Sequence, residues 1–389
     1  MRDPLSKKVT SIKPSGIRKF FDIVGEMQDA ISLGVGEPDF ETPWHIREEG
    51  IYSLEKGKTV YTSNSGLKEL RVEICNYLQR RFGLSYDPLK ETVVTVGGSE
   101  AIDMAMRAML DSGDEVIIPE PCYVSYVPCV ILADGVPVTI NLKNENEFRL
   151  TAAELEAAIT PKTKMLVLAF PNNPTGAVMT KSDLEAVADV VIRHDLFVLS
   201  DEIYSELTYG TDHVSIASIP GMKERTIVIN GFSKSYAMTG WRLGYACGPA
   251  EIIRQMTKIH QFAIMCAPTV SQYAAVEALR NGDPDVERMR ESYDGRRKFV
   301  VATLREMGLE CFEPLGAFYV FPSIREFGMT SDEFATRLLQ EEKLAVVPGT
   351  AFGDCGEGFI RISYAYSLEK LKEALSRLER FTKTLRKQK

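Results

Sequence analysis

Lys234 and Arg242 stand eight residues apart in Gly231-Phe232-Ser233-Lys234-Ser235-Tyr236-Ala237-Met238-Thr239-Gly240-Trp241-Arg242-Leu243-Gly244, a Gly/Ser-rich and otherwise largely apolar stretch. A lysine whose surroundings lower its amine pKa can condense with an aldehyde, and a serine hydroxyl with a forked guanidinium can hold a phosphate dianion. Lys234, Ser233 and Arg242 therefore fit an aldehyde cofactor that carries a phosphate. Taken alone, the same residues read equally well as solvated charges on a surface loop.

Three further stretches bear on that choice. Val96-Gly97-Gly98-Ser99-Glu100-Ala101 follows a strand-like run and opens a helix-like one, so free backbone N–H groups and the helix dipole point at an anion there. A Gly-Gly turn also occurs for steric reasons alone. Pro171-Asn172-Asn173-Pro174-Thr175-Gly176 fixes a tight turn that can aim one Asn at a ring hydroxyl, or serve only as a turn. Ser200-Asp201-Glu202-Ile203-Tyr204 follows the apolar run Leu196–Leu199. A carboxylate at a strand's end is costly unless paired, and a protonated pyridine nitrogen would pair it; the alternative for Asp201 is a helix N-cap.

Alternating elements must position these residues. Strand-like runs at Thr92–Val96, Glu115–Pro119, Val136–Ile140, Lys164–Phe170, Leu196–Ser200, Thr226–Asn230 and Leu243–Cys247 alternate with helical patterns such as Ser99–Leu110 and Lys181–Arg193. That alternation predicts a mostly parallel sheet with helices on both faces and ligands at the strands' carboxyl ends. After Pro249 come helices over Glu251–Phe262, Thr269–Leu279 and Asp285–Met307. Strands at Ala317–Pro322, Leu344–Val347 and Gly358–Ser363, with helices at Ser331–Glu342 and Ser367–Thr384, then predict a smaller α+β unit. The N-terminal residues carry no core of their own and are expected to pack on that unit.

Composition narrows the class. A chain of 389 residues exceeds what one core organises, so two domains are expected. The net charge of −8 offers no basic field to nucleic acid or an anionic membrane. There is no apolar run of spanning length and no signal-peptide pattern, which predicts a cytoplasmic protein. The seven cysteines and four histidines are scattered without ligand spacing, so neither a disulfide framework nor a metal site is expected.

In this order, these motifs resemble the class I/II pyridoxal-phosphate-dependent aminotransferases of fold type I. The likeness runs from Leu33-Gly34-Val35-Gly36-Glu37-Pro38-Asp39-Phe40 to Phe359-Ile360-Arg361-Ile362-Ser363-Tyr364. It implies an α/β fold: a large cofactor-binding domain over residues 46–280 with a mostly parallel seven-stranded sheet, and a smaller α+β domain from 1–45 and 281–389. It implies Lys234 as the lysine that bonds the cofactor and shuttles a proton, Asp201 on the pyridine nitrogen, and Asn173 with Tyr204 on the ring hydroxyl oxygen. Gly98, Ser99, Glu100, Ser233 and Arg242 would hold the phosphate, and Tyr123 would stack on the ring. Tyr61, in Val60-Tyr61-Thr62-Ser63-Asn64, would reach the phosphate of a neighbouring subunit and so require a homodimer with shared active sites. Arg361 would bind the substrate α-carboxylate, with the Gly36 backbone and Asn173 beside it. The plain alternatives are half-buried aromatic packing for Tyr61 and Tyr123, and a structural ion pair for Arg361.

The resemblance implies transfer of an amino group from an L-amino acid to a 2-oxo acid, most often 2-oxoglutarate, with no metal. A carbon–sulfur β-lyase would keep Lys234, Asp201 and Arg361, and an aminotransferase-like regulator would need a further DNA-binding domain. Within the family, Ser15-Gly16-Ile17-Arg18-Lys19-Phe20, Ser205-Glu206-Leu207-Thr208-Tyr209 and Gly316-Ala317-Phe318-Tyr319 resemble the aromatic and N-acetyl-diaminopimelate branches more than the aspartate one.

Overall fold

The structure, a computed structural model, describes residues 2, 4–14, 27 and 29–388; Ser15–Phe20 lie outside them. Its strands are β1 Ile31–Ser32, β2 Thr92–Thr95, β3 Glu115–Glu120, β4 Val136–Asn141, β5 Thr163–Ala169, β6 Phe197–Asp201, β7 Thr226–Gly231, β8 Gly244–Cys247, β9 Tyr319–Val320, β10 Leu344–Ala345, β11 Val347–Pro348 and β12 Ile360–Ser363. Strands β2 to β8 form one seven-stranded sheet in the order β2-β8-β7-β6-β5-β3-β4. It is parallel except for β8, which runs antiparallel to both β2 and β7.

Central strands β6 and β7 are buried along nearly their whole length, as strands covered on both faces must be. On one face, Val93, Ile118, Val167 and Ile229 pack against helices Gly97–Met109, Tyr126–Leu132 and Ala250–Ala263 through Met104, Tyr126 and Met256. On the other, Ile117, Leu166 and Val198 pack against Ala152–Ala158 and Lys181–Arg193 through Leu155, Leu184 and Val187. Both of these last helices start on a reciprocal cap: Thr151 with Glu154, and Thr180 with Asp183.

The C-terminal part has its own core. Helices Asp283–Glu306, Ser331–Glu342 and Leu368–Gln388 bury Val300, Phe334, Leu371 and Phe381 against Phe318, Val320, Ile360 and Ile362. Leu33 belongs to the same core, and β1 pairs in parallel with β10, which ties the N-terminal chain to this part. The short helix Lys7–Ser11 goes elsewhere: Lys8 pairs with Asp134 at 2.6 Å and bonds the Leu132 carbonyl beside the large sheet. The expectation that the N-terminal residues pack on the C-terminal unit thus holds for Ile31–Leu33 and not for this helix. The expected strand Leu344–Val347 is divided between β10 and β11, which pair with different partners. Among the described residues no helix is long and apolar enough to cross a membrane.

Candidate active site

A cleft of about 360 Å³ opens at the carboxyl ends of β5, β6 and β7. Gly36, Gly98, Ser99, Tyr123, Asn173, Asp201, Tyr204, Ser233, Lys234, Arg242 and Arg361 all line it. Residues nearly 330 positions apart in the chain meet there because the Leu33–Gly36 segment and β12 face the sheet's strand ends: Arg361 donates to the Gly34 carbonyl.

Lys234 follows β7 and donates to the Gly36 carbonyl. Burial, reinforced by the nearby Arg361 and Arg242 guanidiniums and opposed by Glu37 and Asp201, brings its amine down to about 8. That is the direction a nucleophilic amine needs.

Asp201 closes β6 and is buried; its carboxylate accepts from the Tyr126 hydroxyl at 2.7 Å and the Ile203 N–H at 3.2 Å. No helix begins at Asp201, so the N-cap alternative does not apply. Burial raises its carboxyl, while Tyr126 and the Ile203 N–H oppose the rise. Such a carboxylate gains most from a cation placed against it, which a pyridinium nitrogen would supply. Tyr126 was not singled out in the sequence, although it ends the Pro121–Tyr126 run that carries Tyr123.

Arg361 is 2% exposed, and none of the described carboxylates lies within ion-pair distance of it. Its fork donates to Asn173 Oδ1 at 2.7 Å and to Gly34, stacks on Tyr319 and Phe352, and leaves Nε unpartnered. The structural ion pair is therefore absent, and burial alone lowers the guanidinium's affinity for its proton. A buried cation without a counter-ion is a receptor for an external carboxylate.

Tyr204 is buried, which drives its phenol well above the ordinary range, and it shares a hydrogen bond of 2.9 Å with Tyr319. It is thus a neutral phenol, able to donate or accept. Tyr319 also requires glycine at position 36, since a Cβ there would collide with its hydroxyl. Of the tandem asparagines, Asn172 serves the turn by accepting from Thr175, and Asn173 alone faces the cleft. Tyr123 lies edge-on to Tyr126, its hydroxyl 3.5 Å from Ser99.

The helix start meets Arg242 closely. Gly97 has φ +75°, and a Cβ there would lie 2.8 Å from the Arg242 guanidinium; a Cβ on Gly244 of β8 would lie 2.7 Å from the Gly97–Gly98 backbone. Glu100 does not turn to the cleft: its carboxylate accepts from Val96 N–H and meets His260. A carboxylate cannot hold a phosphate dianion, so only the Glu100 backbone N–H is available for that role. Tyr61 does not line the cleft of its own chain and is 77% exposed. It shares a surface with exposed Val60, Phe262, Ile264 and Met265, joined by Asn64 to the Met265 carbonyl and Thr269 to the Val60 carbonyl.

A buried amine of lowered pKa, a buried carboxylate, a neutral phenol and an anion-ready helix start in one cleft fit pyridoxal phosphate. Residues 28–378 match the family model described as aminotransferase class I and II, and the chain belongs to that family as a pyridoxal-phosphate-dependent transaminase. It is 56% identical to a putative aminotransferase YugH of Bacillus subtilis, over 98% of this chain and 99% of that one. It is 50% identical to an aspartate aminotransferase of Pyrococcus abyssi, over 97% of each. The solved aromatic aminotransferase from Pyrococcus horikoshii superposes with a TM-score of 0.90 at 49% identity, covering 95% of this chain and 99% of that chain.

Proposed function

We propose that the cleft moves the amino group of an L-amino acid to 2-oxoglutarate in two half-reactions on one cofactor. Pyridoxal phosphate, when bound, supplies an aldehyde for the amino group and a ring that spreads charge from the substrate Cα. Arg361 binds the substrate α-carboxylate beside Asn173 and the Gly36 backbone. Lys234 Nζ, whose amine is brought down to about 8, would accept and hand on the proton of the substrate Cα. Asp201 holds a proton on the ring nitrogen, and Tyr204 with Asn173 bonds the ring oxygen. Gly98, Ser99, Ser233 and Arg242, with the Glu100 N–H, would hold the phosphate, and Tyr123 would stack on the ring.

The observation that carries this reading is the buried, counter-ion-free Arg361 facing the lowered amine of Lys234. In the same proposal, residues 46–280 form the large domain, and 1–45 with 281–389 the small one. For the donor we favour an aromatic or N-acetyl-diaminopimelate-like side chain. Lys234, Arg242 and Arg361, the cations lining the cleft, already have roles, while Tyr123, Tyr319 and Ile102 offer apolar surface. Phe, Tyr, Asp, Ala and N-acetyl-diaminopimelate, each tested against 2-oxoglutarate, check both parts. Pyruvate release from cysteine conjugates without amino transfer to any 2-oxo acid would replace the reading with β-elimination.

Arg361→Lys keeps a charge but loses the fork. Dissociation constants for all amino and 2-oxo acids should rise by about ten- to a hundredfold, the cost of a charge-assisted bond or two. Spectrophotometric titration of each substrate checks this; a loss confined to one substrate would assign Arg361 to side-chain recognition.

The exposed apolar surface around Tyr61 supports a homodimer in which Tyr61 of a second copy reaches the phosphate. Tyr61→Ala and Lys234→Ala chains, each impaired, should regain activity when mixed under subunit exchange, because a hybrid holds one site with both residues. Full activity of a monomer, shown by light scattering, would refute the shared site.

A further inference from the structure

The side chains of Glu100 and His260 form a pair outside the residues that line the cleft. His260 lies on helix Ala250–Ala263 and is fully buried. Its Nδ1 is 2.7 Å from Glu100 Oε1, and because a carboxylate only accepts, Nδ1 carries the hydrogen. Its Nε2 is buried without a hydrogen-bond partner among the described residues. The other carboxylate oxygen of Glu100 accepts from the Val96 N–H, at the point where β2 turns into helix Gly97–Met109.

Glu100 stands in the first turn of a helix whose N-terminal N–H groups face the cleft. A carboxylate there is attracted to the same positive helix end as a phosphate, and would compete with it and repel it. His260 and Val96 engage both oxygens and turn the charge inward. Held from within by Glu100, the turn also lies so close to Arg242 at Gly97 and to Gly244 at the Gly97–Gly98 backbone that neither Gly97 nor Gly244 has room for a Cβ.

We propose that Glu100 and His260 are positioning residues for the cofactor phosphate: His260 anchors the Glu100 carboxylate away from the helix start, and Glu100 sets the shape of the Val96–Ser99 turn. This rests on the reading that the phosphate binds at Gly98 and Ser99. The same histidine reaches further, since its carbonyl accepts from the Ile264 and Met265 N–H groups, both at 2.9 Å. The Met265 carbonyl in turn accepts from Asn64, on the segment that carries Tyr61.

The test compares pyridoxal phosphate with pyridoxal, which lacks the phosphate, binding to the full-length apoprotein. For His260→Leu and Glu100→Ala, affinity for pyridoxal phosphate should fall about tenfold or more, the effect of a mis-set charge-assisted site, while affinity for pyridoxal stays at the wild-type value. Glu100→Gln keeps an acceptor for Val96 and, with the hydrogen of His260 moved from Nδ1 to Nε2, a donor for Nδ1, and should stay close to wild type. Equal losses for both ligands, or unchanged affinity for pyridoxal phosphate in both disruptive variants, would overturn the positioning role. Wild-type protein that binds pyridoxal phosphate no better than pyridoxal would instead overturn the phosphate site beneath it.

Discussion

Lys234→Ala is expected to lower turnover by about a thousandfold or more, the usual span for removing a positioned proton carrier, while the protein still takes up cofactor through its phosphate and ring contacts. Borohydride reduction followed by peptide mass analysis should find the cofactor covalently on Lys234 in the wild type and nowhere in the variant. Wild-type turnover in Lys234→Ala would remove the residue from the mechanism. The pH behaviour follows from the same amine. At about 8 instead of 10.5, roughly one amine in ten is neutral at pH 7, against about one in three thousand for a free lysine. Capture of pyridoxal phosphate by the apoprotein should therefore speed up with rising pH and level off past about 8. The sign for stability follows too: folding penalises the protonated amine fully below about pH 8, and the penalty fades towards 10.5.

Asp201→Asn should leave the fold intact and slow the half-reaction with an amino acid by roughly two to four orders of magnitude, the rate equivalent of about 3–5 kcal/mol for a broken buried charge pair. An amide cannot keep the ring nitrogen protonated. The loss should appear in exchange of the substrate Cα proton for deuterium more than in cofactor affinity. Normal exchange in Asp201→Asn would take the carboxylate out of the chemistry. Tyr126→Phe offers a graded companion, because it removes the hydroxyl that opposes the rise in the Asp201 pKa.

The sheet was legible because its strands read as apolar runs bounded by turn residues, and each motif fell at a strand's end, where a parallel sheet exposes its ligands. The edges of elements were less so: β10 and β11 form one apolar run in the sequence, and only pairing to β1 and β12 divides them. Side-chain direction was harder still. Glu100 sits within the turn proposed to bind the phosphate, yet nothing local says that its carboxylate points inward, since that depends on His260, 160 residues away. The roles of Tyr126 and Tyr319 at the site were not legible for a similar reason, although Tyr319 stood in a motif that marked the branch. Each is one aromatic among several, and only the tertiary contacts show that they hold Asp201 and Tyr204.

Gly244 has no chemistry, yet β8 leaves no room for a Cβ there beside the Gly97–Gly98 backbone of the turn proposed to bind the phosphate. A single methyl group there would push on the turn itself, with no flexible side chain to yield. Diversifying this scaffold towards new amino donors is therefore fenced by a position that never meets a ligand. A randomised library that includes residue 244 should return almost only glycine, whichever substrate is used for selection.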